Sequence, residues 1–287
     1  MKRPSTTTKL RYPASGHVLR YLRLAFDTSV PGRTEGLMPA LPDLNDDGGA
    51  IRLGAIALLT DYAAGTTAMQ TMSPDWPVTH DMALHLVQPA PPEGELEATC
   101  EVTRAGKNSV RSETSVISPS VGEVARVFVT FTRLTRRGDT PTESRHTQVN
   151  LAEGPDVERP RVPLDEAVGF RLLGGGVGDE PYVELDHSPF VVNSLGAIQG
   201  GVIALTLERA TSWAGQTVLG GPCRTTDLHL HFLALGRTGP FQARTEILRV
   251  VGSTVVSRVA LVDTGDDDRL LALGVGTAHG LDDADLL

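Results

Sequence analysis

Two carboxylates stand where the surrounding sequence makes a carboxylate costly. The segments GAIALLTDYAAG (54–65) and GVIALTLERATSWAG (201–215) each read as an apolar helix, and each carries an acid seven residues after a glycine: Asp61 and Glu208. A helix that is apolar nearly all round is buried. An unpaired carboxylate buried with it costs several kcal/mol or shifts its pKa. Such a group can act as general base on water, or as the nucleophile that forms a mixed anhydride, provided burial leaves it ionised. It can equally cap or pair with a neighbouring strand.

The elements around these acids form a repeat. Each helix is followed by a short loop and a strand, VTHDMALHLV (78–87) and RTTDLHLHFL (224–233). Thr79 aligns with Thr225 and Asp81 with Asp227 after a one-residue slip. Beyond them, ATCEVTRAGKNSVRSETSVIS and EVARVFVTFTRL answer ARTEILRVVGSTVVSRVALVD and RLLALGVGTAHG. Alternation of β-branched and polar residues predicts half-buried antiparallel strands, with Gly, Asp and Pro marking the turns. One helix followed by three or more strands predicts an α+β architecture in which a twisted antiparallel sheet wraps the helix. Residues 137–165 are rich in Pro, Glu, Asp, Thr and Arg, lack either periodicity and read as a linker. The expected units are therefore 1–136 and 166–287.

The run from Asn193 through Gly200 and Gly201 to Glu208 has the spacing N-x6-G-G-x6-[DE], and a strand with a TD pair follows it. This pattern resembles the hot-dog thioesterases of the phenylacetate-degradation and hydroxybenzoyl-CoA type, over most of 182–280 and more loosely over 36–133. The resemblance implies two tandem hot-dog domains and an acyl-CoA substrate. It also implies a site shared between domains, with asparagine and glycine from one and the acid from the other. Asn193 would then orient water or the thioester oxygen. Gly200, at a helix N-terminus aided by the helix dipole, would offer its N–H to an oxyanion, with Gly201 beside it contacting substrate. Asp61 would be the acid and Thr79 would support the water. The alternatives are a tight turn at Gly200 that needs positive φ or close packing, and a turn asparagine at Asn193.

A second site would pair Glu208 with LNDDGGAIRLG, where Leu53 replaces the first glycine and Arg52 stands in the place of Gln199. Counting back from Asp61 puts Asp46 in the place of Asn193, and Asn45 reaches it only with one inserted residue. One working site and one degenerate site are expected. The family often carries a glycine followed by a basic residue that contacts CoA phosphates, and Gly106-Lys107 resembles it, whereas Gly252-Ser253 has lost the charge. Arg104, Lys107 and Arg111 thus read as a locus for a small phosphorylated ligand or as a solvated strand face.

Composition narrows the remaining classes. Of the 287 residues, 40% are hydrophobic and 21% charged, which supports a packed core rather than disorder. The net charge of −9 disfavours a nucleic-acid partner. The apolar runs Gly54–Thr60 and Gly200–Leu207 are too short to span a bilayer, so a membrane partner is not expected and a cytoplasmic location is. Cys100 and Cys223 lack CxxC spacing and read as packed thiols. His80 and His85, like His229 and His231, mimic metal-ligand spacing but show no third ligand, so no metal is expected. GxSxG, P-loop and GxGxxG motifs are missing.

The leading expectation is an acyl-CoA thioesterase that needs no cofactor beyond the coenzyme A of its substrate. A non-catalytic acyl-thioester binding protein is the alternative. Hydration or dehydration of an enoyl thioester ranks last, because no histidine lies near either acid in sequence. A fused pair supplies the interface that single-copy relatives gain by dimerising, which leaves monomer and homodimer both open. Acyl chain length is also open.

Overall fold

The sequence between the turns sorts into two kinds of segment, apolar all round or apolar on alternate residues, and the protein builds one layer from each. The computed structural model describes residues 12–135, 148–151, 161–174 and 180–282. A short helix α1 (Val18–Tyr21) leads into β1 (Ala25–Asp27), β2 (Arg33–Pro39) and a single 3-10 turn at Pro42–Leu44. The long helix α2 (Leu53–Met72) follows, and then β3 (Trp76–Leu86), β4 (Glu95–Ala105), β5 (Ser109–Ser118) and β6 (Gly122–Leu134). After β7 (Gln148–Asn150) the same order returns as α3 (Leu164–Val168), β8 (Arg171–Leu173), β9 (Tyr182–Leu185) and α4 (Gly200–Leu219). Strands β10 (Cys223–Phe232), β11 (Phe241–Val251), β12 (Thr254–Asp263) and β13 (Arg269–Gly280) complete it.

Both long helices run further than their apolar cores suggest. In α2 the added turn is rich in threonine, a modest helix former, but the hydroxyls of Thr66, Thr67 and Thr71 bond back to the carbonyls of Tyr62, Ala63 and Thr67. Helix α2 stops before Pro74, and α4 stops at Gly220, whose left-handed φ of 75° suits glycine. No helix among the described residues is long and apolar enough to cross a membrane.

All the strands join one antiparallel sheet in the order β7-β1-β2-β4-β5-β6-β3-β10-β13-β12-β11-β9-β8. Leaving β7 aside, the two sides of the β3–β10 pairing mirror each other. The bulges repeat as well: Thr79/Asp81 with Thr225/Asp227, Val102/Arg104 with Ile247/Arg249, and Val116/Ile117 with Leu261/Val262. Bulges bend and twist a strand, so each half of the sheet curls at the same points around its helix. Helix α2 packs on β2 to β6, and α4 on β9 to β13. Cys100 and Cys223 are free and buried in this layering.

The segment read as a linker contains more structure than its composition implies. Gln148–Asn150 pairs with β1 as an edge strand, and Leu151 is buried against the core. Helix α3 begins at Leu164, still inside the span. Three residues are too few for a strand period to show in sequence. Residues 137–147 and 152–160 of that segment lie outside the described residues.

The helices α2 and α4 pack on each other through a reciprocal contact. A Cβ on Gly54 would stand 3.1 Å from the Cα of Leu205, and one on Gly201 would stand 2.9 Å from the Cα of Leu58. Backbone cannot yield as a side chain end does, so these glycines set how closely the helices approach. Gly54→Ala is expected to lower unfolding free energy by about 1–3 kcal/mol through overpacking, measured by denaturant titration. An unchanged midpoint would show that the helices separate freely.

Candidate active site

Asp61 lies on the side of α2 that meets the N-terminus of α4, and it is buried. Its Oδ2 accepts hydrogen bonds from the Gly201 N–H at 2.9 Å and from the Gln199 side-chain amide at 2.8 Å. Its Oδ1 accepts from the Thr79 hydroxyl at 3.3 Å. Gln199 is itself fixed, because it caps α4 by accepting from the Val202 N–H at 2.9 Å. Burial raises the Asp61 pKa to about 6, against the Gly201 and Thr79 hydrogen bonds that favour the charged form. Asp61 is therefore ionised at neutral pH yet more basic than an ordinary carboxylate.

These groups open onto a cavity of about 710 Å³. Asp61, Thr79, Asn193, Gln199 and Gly200 all line it, and Tyr62, Met69, Trp76, Phe131 and Phe232 supply apolar wall. The size and the mix of apolar wall with a few convergent polar groups suit a small-molecule ligand. A Cβ on Gly200 would sit 3.0 and 3.1 Å from the Asp61 oxygens and 3.1 Å from the Thr79 hydroxyl, so only glycine leaves this corner open. Asn193 uses its Oδ1 to accept from the Leu195 and Ala197 amides, at 2.9 and 3.2 Å. That bond set shapes the loop before α4 and leaves the side-chain NH₂ as the group with which Asn193 can meet a ligand.

Glu208 occupies the equivalent place on α4 and meets a different environment. Asp46 repeats the loop role of Asn193, accepting from the Gly48 and Ala50 amides at 2.9 and 3.2 Å. Counting without an insertion is thus the correct alignment. Asp46 Oδ2, however, pairs with the buried Arg224 at 2.5 Å. Arg52 stands where Gln199 stands and forms an ion pair with Asp165 of α3, which also pairs with Arg209 at 2.7 Å. Thr225, the partner of Thr79, donates to the Glu208 backbone carbonyl at 3.1 Å rather than to its carboxylate. Glu208 Oε2 has no hydrogen-bond partner among the described residues. Burial pushes its pKa up to about 7, with Arg52 and Arg209 acting in the opposite direction.

Lys107 and Arg104 are exposed and belong to the β4–β5 hairpin. Arg104 faces Arg111 across the ladder and does not line the cavity. Lys107 does not line it either; its carbonyl accepts from Arg133 at 3.0 Å, and Arg133 also donates to the Met72 carbonyl at 2.6 Å and to Asp75 at 3.0 Å. Ser73, Pro74 and Trp76 of that same corner line the cavity. Sequence reasoning missed Gln199 as a site group, although its place immediately before a helix-opening glycine pair was a usable signal. It also missed Asp165, because an ion pair between segments 113 residues apart leaves no local trace.

Glu208 has a consequence for stability. Its folded pKa of about 7 exceeds the usual 4.5, so the folded chain holds a proton that the unfolded chain releases. Stability that is complete below pH 4.5 is therefore lost as pH rises through 7. Asp61, raised to about 6, adds a similar loss at lower pH. Unfolding free energy is expected to fall between pH 5 and pH 8, and Glu208→Gln should flatten that fall by on the order of 1–3 kcal/mol. Equal slopes in both proteins, by denaturation at several pH values, would contradict the assignment.

The sequence matches the thioesterase superfamily over residues 48–125 and 195–269. These two segments carry α2 and α4 with the first three strands that follow each. Among solved structures, a TesB protein of Mycobacterium avium subsp. paratuberculosis aligns at 11% identity, covering 90% of this chain and 96% of that one, with a TM-score of 0.64. An acyl-CoA thioesterase II of Mycobacterium marinum aligns at 11% identity over 92% and 98%, with a TM-score of 0.60. A 12:0-ACP thioesterase of Umbellularia californica aligns at 8% identity over 87% and 94%, with a TM-score of 0.58. At such identities the likeness is one of fold. No curated protein matches the sequence.

Proposed function

The chain belongs to the thioesterase superfamily, and from that premise we propose that it hydrolyses acyl-CoA thioesters at the Asp61 cavity. The fold is the hot-dog thioesterase fold, and we read it as a tandem pair of such domains, 1–136 and 166–287, joined by 137–165. The observation that carries the proposal is the meeting of Asp61 from one repeat with the Gly201 amide and Gln199 of the other, at the edge of a ligand-sized cavity.

Both Asp61 oxygens already accept hydrogen bonds from fixed donors, which favours a general base over an attacking nucleophile. Water held by Asp61, Thr79 and Gln199 loses a proton to Asp61 as its oxygen attacks the thioester carbonyl carbon. The carbonyl oxygen takes up negative charge and is stabilised by the Gly200 N–H at the positive end of α4, with the Asn193 amide orienting it. The C–S bond then breaks, and Asp61 returns the proton to the departing thiolate. The products are a carboxylic acid and coenzyme A, and no cofactor enters. Lys107, near the rim, attracts the nucleotide phosphates of the substrate, with Arg104 adding to the local positive field. Glu208, enclosed by Arg52, Arg209 and Asp165, takes no part.

Thiol release from short, long and aromatic acyl-CoAs and from an acyl carrier protein ester tests this. Asp61→Asn should lower kcat by about 100- to 10,000-fold, while Glu208→Gln stays near wild type. Thr79→Ala and Gln199→Ala should each cost about 10- to 100-fold, the worth of a hydrogen bond to a charged group. Binding of acyl-CoA without turnover in the wild type would identify a binding protein instead.

The pH profile supplies a separate check. Because Asp61 must be ionised, kcat/KM should rise with pH and level off above about 6. Lys107→Ala should raise KM for an acyl-CoA by about two- to fivefold and leave a phosphate-free acyl thioester unaffected. Equal changes for both substrates would remove Lys107 from the binding site.

A further inference from the structure

We propose that Asp81, His229 and His231 form a binding site for a late first-row divalent cation of the Zn²⁺ type, on the outer face of the sheet where the two repeats join. The site is separate from the Asp61 cavity, none of whose wall these residues form.

The strands dictate the placement. In β10 the buried Leu228 and Leu230 point toward the helix layer, so His229 and His231, at alternate positions, share the opposite face. Strand β3 lies alongside with His231 opposite Asp81 and His229 opposite Ala83. The small Ala83 side chain leaves His229 free to lean diagonally, and its Nε2 reaches Asp81 Oδ2 at 2.7 Å. His231 Nδ1 lies 3.5 Å from the same oxygen. One ligand atom from each residue falls within 4.8 Å of the others. A tetrahedral Zn²⁺ site with bonds near 2.0–2.2 Å places its ligand atoms roughly 3.3 Å apart, a spacing that the 2.7 and 3.5 Å separations from Asp81 bracket. Two imidazoles and one carboxylate form a donor set suited to Zn²⁺, Co²⁺ or Ni²⁺ rather than to Mg²⁺ or Ca²⁺. His229 and His231 are each about half exposed, with side-chain exposures of 55% and 53%, so an ion has access. The ring of His80 lies 6.5 Å from that of His231.

The repeat supplies an internal control. The pseudo-equivalent pair, His85 Nδ1 with Asp227 Oδ1 at 2.9 Å, has the same register. The second imidazole is what it lacks, since the equivalent of His229 is Ala83. Among the described residues three ligands thus converge once, and they come from both repeats. A bound ion would clasp β3 to β10.

The test is equilibrium dialysis of the full-length chain against Zn²⁺ in a weak competing chelator, followed by Co²⁺ titration read by visible absorption. One equivalent bound in the micromolar range is expected, with a Co²⁺ spectrum of low coordination number and a raised melting temperature. His229→Ala, which installs the residue found at position 83, and Asp81→Asn should each weaken binding at least tenfold, while His85→Ala leaves it unchanged. Circular dichroism confirms that each variant is folded. Binding below one equivalent, or equal loss in His229→Ala and His85→Ala, would overturn the proposal and leave ordinary cross-strand ion pairs.

Discussion

One hydrogen bond organises the centre of this molecule: the Gly201 amide of α4 donating to the Asp61 carboxylate of α2 at 2.9 Å, between residues 140 positions apart. It exists only because two helices from different repeats approach to backbone contact, which requires glycine at 54 and 201. That approach in turn requires one continuous sheet behind both helices. The bond also answers the difficulty of a carboxylate inside an apolar helix. A helix N-terminus carries unpaired N–H groups and partial positive charge, so it solvates the buried anion without a countercharge that would quench its basicity.

The other end of the helix pair shows what happens when a true countercharge is used. Arg52 in place of Gln199, and Arg224 in place of Val78, bring guanidinium groups into the equivalent corner. Acids from elsewhere, Asp165 and Asp46, then balance them. The result is a buried ionic network over Glu208 rather than a cavity floor of amides and a hydroxyl. Such networks are expensive to desolvate and add less stability than their number suggests, but they hold fixed geometry. The two equivalent corners therefore differ in kind, one closed by ion pairs around Glu208 and one open to the cavity at Asp61.

How much of this was legible in the sequence depended on range. The repeat, both helices and the loss of glycine at Leu53 were readable because each rests on local spacing, whereas Asp61 opposite Gly200 was implied by the family resemblance alone. The alignment of Asp46 with Asn193 became certain only when both were seen accepting from amides two and four residues on. Gln199 was passed over because its partner lies in the other repeat. Strand β7 was missed because three residues carry no period. The histidines of β10 looked like an incomplete pair because their third neighbour, Asp81, is supplied by sheet order and not by sequence proximity.

The joining of β3 to β10 sets a condition on how the chain reaches its final form. During synthesis the first repeat emerges with β3 as an open edge of 11 residues, a row of unsatisfied amides and carbonyls that any other copy could pair with. The strand meant to cover it, β10, lies more than a hundred residues downstream. The residues that β3 turns outward along this edge include Asp81 and His85, polar groups that discourage intermolecular pairing while the edge waits. Side chains at the seam therefore serve the unfinished protein as a guard before they serve the finished one.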